Sequence, residues 1–183
     1  MGTATNMALH QLQPFRSDKN LGKAYNDAMG LVPDGDHACL RDIDTLLLTP
    51  NTPVIIDWYA NRYPNALLTC YTNRVSTLSK DQLLNGTVNE DGDIREHIRI
   101  AEKMETINTA TVIRRTISGF LMVLPKSLWK QFPFPETGQC LGIDTDYSKL
   151  LLRYNVPILR MDGVYCFHIY RLMNGIFYKK HLQ

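Results

Sequence analysis

The 183-residue chain has the size of one hydrophobic core, and its 44% hydrophobic and 21% charged residues match a globular protein rather than a disordered one. A formal charge of +2, from 20 basic and 18 acidic residues scattered along the chain, leaves no basic stripe for phosphate neutralisation and argues against a nucleic-acid partner. The apolar runs fall far short of the roughly 20 residues of a transmembrane helix.

Met1 to Met7 is expected to be disordered or an expression remnant. An extended segment from Ala8 to Phe15 precedes Asn20, which starts a helix carrying Leu21, Ala24, Tyr25, Ala28, Met29 and Val32 at helical spacing. The turn Pro33 to Asp36 leads into a buried strand at Ala38 to Leu40, which delivers the acidic group Asp42-Ile43-Asp44-Thr45. Thr52 and Pro53 begin a second helix through Arg62, and Ala66 to Thr72 reads as the next strand. Ser79 to Asn108 is the most polar stretch and is expected to be a surface excursion with a helix around Ile94 to Met104. Ser118 to Leu124 is strand-like, Ser127 to Gln131 is a short helical turn, and Asp144 or Thr145 opens an amphipathic helix carrying Tyr147, Leu150, Leu151 and Tyr154. Pro157 to Arg160 and Gly163 to Phe167 read as two short strands ending at His168.

This alternation predicts a single α/β domain over residues 1–183, Rossmann-like, with a mixed and mostly parallel sheet flanked by helices. Cys39, Cys70, Cys140 and Cys166 lie singly, without paired zinc-site spacing or disulfide density, and read as reduced core thiols in the cytoplasm. Trp58 and Trp129 read as core residues, with Trp129, beside Pro133 and Pro135, also a candidate to stack on a sugar.

The sharpest chemical feature is Asp42-x-Asp44 directly after a buried strand, where α/β folds bind ligands. Paired carboxylates there suit Mg²⁺ or Mn²⁺, which bridge phosphate oxygens. Taken alone, the triplet reads more readily as a solvated acidic turn. Asp144 reads either as a reactive carboxylate or as a helix cap, His168 as a ligand or as a half-buried histidine, and Lys23 as a phosphate contact or as an exposed helix lysine.

Asn20-Leu21-Gly22-Lys23-Ala24-Tyr25-Asn26 followed by Asp42-Ile43-Asp44 resembles the N-x-G-x-A-x-N helix and D-x-D strand end of family 2 and related GT-A glycosyltransferases. Gly119 to Val123 resembles that family's strand before the acceptor site. Gly142-Ile143-Asp144-Thr145-Asp146-Tyr147 resembles its G-E-D-x-D motif, with Ile143 in place of Glu, and His168 takes the place of its C-terminal histidine. The resemblance implies a GT-A-like fold and an inverting transfer from a UDP- or GDP-sugar to a carbohydrate, lipid-linked or protein acceptor. It implies Asp42, Asp44 and His168 as ligands of Mn²⁺ or Mg²⁺, with Asp42 also near the donor ribose and Asp144 as general base. Asn20, Gly22, Lys23, Asn26 and Gly119 would contact the donor, and Asp146 and Trp129 would lie on the acceptor side. The short apolar runs and the single cysteines predict a soluble protein of the cytoplasm or one peripheral at the inner membrane face. Only residues 1–19 precede the first motif, so the nucleobase pocket is expected to be shortened. Two other readings stand beside this one: a non-catalytic GT-A-like domain that binds nucleotide or metal, and a metal-dependent phosphoryl-transfer or nucleotide-hydrolysing enzyme, which lacks a G-x-x-x-x-G-K-[ST] loop here.

Overall fold

Strands and helices alternate along the chain in the computed structural model, which describes residues 7–75, 77–89, 91 and 93–169. The order is β1 (Leu9–Leu12), α1 (Leu21–Leu31), β2 (His37–Arg41), β3 (Thr45–Leu47), α2 (Thr52–Arg62) and β4 (Leu67–Thr72), then two 3₁₀ turns at Thr77–Gln82 and Leu84–Gly86. It continues with α3 (Ile94–Met104), β5 (Ala110–Ile113), β6 (Leu121–Pro125), α4 (Lys126–Gln131), α5 (Ile143–Arg153) and β7 (Ile158–His168).

The strands form one open sheet in the order β1-β2-β6-β4-β7-β3, with β5 also paired to β7. Pairings β1·β2 and β4·β7 are parallel, and β2·β6, β4·β6, β3·β7 and β5·β7 are antiparallel. Four strands therefore run one way and β3, β5 and β6 run the other, so the sheet is mixed with a parallel majority of strands. No helix among the described residues is long and apolar enough to cross a membrane.

β6 is apolar at every position, and β2 from Ala38 to Leu40, because both faces are covered. Ala38 and Leu40 of β2, with Met122 and Leu124 of β6, face Tyr25, Met29, Tyr147 and Leu151 of α1 and α5. The alternate residues Cys39, Leu121 and Val123 face Ile56, Tyr59 and Ala60 of α2. This period-two division of an unbroken apolar run is what a sandwiched strand requires.

Several expectations are corrected. The two strands foreseen before His168 are one continuous strand, β7. Gly163 serves close approach there rather than a turn, since a Cβ at that position would lie 2.1 Å from the Ile107 carbonyl oxygen. Ser79 to Asn108 is not a purely surface segment: Gln82, Leu83, His97 and Ala101 within it are buried. Trp58 is 45% exposed rather than core, and Cys140 is exposed while the other three cysteines are buried. Of Met1 to Met7, only Met7 lies among the described residues.

His37, at the start of β2, is buried, and among the described residues neither of its ring nitrogens has a hydrogen-bond partner. Burial pushes its pKa below 6.5, against the opposing pull of Asp57 and Asp36. The unfolded chain therefore takes up a proton that the folded chain resists, so this contribution is complete above pH 6.5 and is lost as pH falls below it. His37→Leu is expected to flatten the acid limb of the stability profile relative to wild type, measured by denaturant unfolding between pH 5 and 7.5.

Candidate metal and catalytic site

The antiparallel β3 begins opposite the end of β7, with Thr45 paired to His168. The turn from β2 to β3 is pinned at both ends. The Asp42 backbone N–H donates to the Phe120 carbonyl at 3.0 Å, and the Thr45 N–H donates to the Asp42 carbonyl at 3.2 Å. The Ile169 N–H then donates to the Asp44 carbonyl at 2.8 Å, locking the acidic turn to the end of β7. Ile43, between the two carboxylates, is 85% exposed, so the strand end turns Asp42 and Asp44 inward and Ile43 outward.

Asp42, Asp44 and His168 each bring one ligand atom within 4.8 Å of the others. The imidazole is oriented by groups distant in sequence. His168 Nδ1 lies 3.1 Å from the Arg74 carbonyl, its backbone N–H donates to Asn73 Oδ1 at 2.8 Å, and its ring stacks on Phe120 at 5.2 Å. A carbonyl only accepts, so Nδ1 carries the proton, and Nε2 faces Asp44 Oδ1 at 3.5 Å. Burial pushes the Asp42 carboxyl up to about 6; the nearby His168 opposes this, and Asp44 and Asp144 add to it. Two carboxylates and one imidazole form a donor set that suits Mn²⁺ or Mg²⁺.

The three residues border a cleft of about 640 Å³ that Asp144, Gly119, Ser118 and Tyr25 also line. Asp144 sits in the first turn of α5, after the N-cap Gly142. Its Oδ1 accepts from the Thr145 N–H at 2.7 Å and its Oδ2 from the Gly119 N–H at 2.8 Å. Gly119 has to lack a side chain, because a Cβ there would lie 2.9 Å from the Asp144 Cβ. The loop carrying Gly119 is gripped in turn by the buried Gln82, which accepts from the Ser118 N–H at 2.7 Å and donates to the Ser118 carbonyl at 3.0 Å.

The remaining residues singled out in sequence lie elsewhere. Asn20 caps α1, accepting from the Lys23 N–H at 3.1 Å, and Lys23 pairs with Asp27 at 3.0 Å. Asn26 is a hub for the loop after α4: it donates to the Phe134 carbonyl and Glu136, and accepts from the Phe134 N–H and Trp129 Nε1. Trp129 is thereby turned toward α1, with Lys126 over its ring. Asp146 is exposed and pairs with Lys149 at 3.4 Å. None of these five lines the cleft, nor does Gly22.

What α1 contributes to the cleft is Leu21 and Tyr25, one turn apart on the same face. Their only sequence signal was membership of the apolar stripe. Asn73 and the Arg74 carbonyl, which orient His168, had no sequence signal at all, because their contacts span more than 90 residues. Comparison with protein-family models and with curated proteins found no match.

Gly22 packs α1 against the loop at Pro135, where an added Cβ would lie 1.9 Å from the Pro135 carbonyl oxygen. In an exposed helix, Gly→Ala gains about 1 kcal/mol. Here overpacking outweighs propensity, and Gly22→Ala is expected to destabilise by about 2 kcal/mol in urea unfolding.

Proposed function

We propose that this chain is a metal-dependent glycosyltransferase of the GT-A type, transferring a hexosyl group from a UDP- or GDP-sugar to an acceptor hydroxyl with inversion. The observation that carries this reading is the convergence of Asp42, Asp44 and His168 on the same cleft that Asp144 lines. The first three residues would hold Mn²⁺ or Mg²⁺. The chemistry such an ion supplies is Lewis-acid neutralisation of charge on a departing nucleoside diphosphate.

The side chains divide the remaining work. The Arg74 carbonyl and Asn73 keep the His168 ring in one orientation and one tautomer. The Gly119 and Thr145 N–H groups aim the Asp144 carboxylate. Each of its oxygens keeps a lone pair beyond its backbone bond, enough to accept the proton of an attacking hydroxyl. A carbohydrate, a lipid-linked sugar or a protein side chain would be the acceptor. The buried thiols Cys39, Cys70 and Cys166 support a reducing, cytoplasmic setting.

The same two backbone bonds to Asp144 favour a second reading, a GT-A-like domain that binds nucleotide and metal without turnover, in which Asp144 only ties α5 to the Gly119 loop.

The metal site is tested by thermal unfolding with UDP- and GDP-sugars, with and without Mn²⁺. A matching donor at about 100-fold over its Kd, together with Mn²⁺, is expected to raise the wild-type midpoint by roughly 5–10 °C. Asp44→Asn is expected to abolish the metal-dependent part, and a shift that survives this substitution sinks the assignment. Hydrolysis and transfer assays test the base. Asp144→Asn is expected to bind donor with unchanged affinity and lose about 100-fold or more in turnover. Donor binding without hydrolysis or transfer in the wild type selects the non-catalytic reading.

A further inference from the structure

The irregular loop 117–119, which lines the cleft, is held from two sides. On one side is α5: the Ile117 N–H donates to Ser148 Oγ at 3.2 Å, Ser148 Oγ donates to the Asp144 carbonyl at 2.7 Å, and the Gly119 N–H donates to Asp144 Oδ2 at 2.8 Å. On the other side is Gln82, fully buried at the end of the first 3₁₀ turn. Its carboxamide accepts from the Ser118 N–H at 2.7 Å and donates to the Ser118 carbonyl at 3.0 Å, the pair of bonds that an antiparallel strand exchanges with one residue. Its Nε2 also donates to Thr69 Oγ1 at 2.7 Å, and the Thr69 hydroxyl donates to the Leu121 carbonyl at 2.9 Å. An amide with both hydrogens and its oxygen engaged has one orientation, so β4 and β6 hold the Ser118 backbone through Gln82.

That anchorage reaches Asp144 through one rigid unit. The Ser118 carbonyl and the Gly119 N–H belong to the same planar trans peptide and point in opposite directions. Gln82 therefore grips one end of the plane whose other end is presented to the Asp144 carboxylate. The fit leaves no slack, since a Cβ on Gly119 would lie 2.9 Å from the Asp144 Cβ. We propose that Gln82 is the positioning residue for Asp144: it sets the tilt of the Ser118–Gly119 peptide and thereby the direction in which the carboxylate is held. The consequence for turnover rests on the glycosyltransferase reading, whereas the positioning itself does not. A Gln82 that merely satisfied buried loop groups would leave Asp144 unaffected, and the two roles differ in what they predict.

Gln82→Leu removes all of these side-chain bonds. Gln82→Glu keeps the volume and the acceptor for the Ser118 N–H while losing, as carboxylate, the donation to the Ser118 carbonyl, and it carries the test if Gln82→Leu fails to fold. Tyr59→Phe removes a buried hydroxyl bonded to Ile107, Thr109 and Gly163, away from the cleft, and controls for lost stability alone. In proton–nitrogen NMR the wild-type Gly119 amide proton is expected downfield because its acceptor is a carboxylate, and Asp144→Asn identifies it by moving it upfield. The Gln82 variants are expected to move it the same way and to speed its hydrogen exchange about tenfold or more, while Tyr59→Phe leaves it in place. A Gly119 resonance that neither Gln82 variant moves overturns the proposal. Where wild type transfers sugar, Gln82→Leu is expected to lower kcat about 100-fold with donor KM unchanged, and Tyr59→Phe to retain kcat. An unchanged kcat, or a rise in KM alone, overturns the proposal as well. If wild type turns over no donor while the Gly119 amide responds to the Gln82 variants, the glycosyltransferase reading falls and the positioning stands.

Discussion

The register between β3 and β7 places Thr45 opposite His168, and through that one pairing Asp44 comes to lie beside the imidazole. β3 is only three residues long, too short to hold itself in place, and it is supported by what surrounds it. The Asp42 N–H is tied to the Phe120 carbonyl, and the Ile169 N–H closes onto the Asp44 carbonyl. β7 pairs along its length with β4 and along its first part with β5, so the strand that receives β3 is among the best anchored in the sheet. The geometry of the acidic turn is thus borrowed from the sheet centre rather than built by the turn itself.

That geometry concentrates like charge. Asp42, Asp44 and Asp144 border one cleft with a single imidazole among them, and the raised Asp42 carboxyl records the cost of holding such groups away from water. An arrangement of this kind is stable when a cation is shared or when a carboxyl keeps its proton. Asp144 differs from its neighbours in accepting from two backbone N–H donors, those of Gly119 and Thr145. The site therefore has one carboxylate held by the protein's own dipoles and two facing a shared imidazole.

Features set by local pattern were legible in the sequence. The helices α1 and α5 announced themselves by apolar spacing, and β2 and β6 by apolar runs ended by polar or proline residues. β3 and β5 were missed because neither carries a pattern of its own: Leu46 and Val112 are exposed, and both strands exist because β7 offers them a partner. Asp162-Gly163 reads as a turn in isolation, yet β7 continues past it with a bulge, Cys70 pairing with Met161 and the next residue Tyr71 with Tyr165. Asp162 instead accepts from Thr109 and Thr111 across the β5 side, and Gly163 makes room for the Ile107 carbonyl. The grouping of Asp42, Asp44 and His168 was legible as an ordered set of residue types. The Asn20 to Asn26 segment illustrates the opposite case, since its polar residues cap, pair and anchor while its apolar face carries Leu21 and Tyr25 to the cleft. Sequence marks which residues are polar, but only packing decides which face of a helix looks into a cavity.

The distribution of thiols has a practical consequence. Cys39, Cys70 and Cys166 are sealed in the sheet, with the Cys70 and Cys166 sulfurs 3.3 Å apart, whereas Cys140 is exposed and lines the cleft. An alkylating dye added to native protein would meet one reactive sulfur, and its rate of attachment would follow how much of the cleft is filled. The other three would be labelled only as the sheet opens. One unmodified chain thus carries separate optical reporters of occupancy and of global unfolding, and neither requires an engineered cysteine.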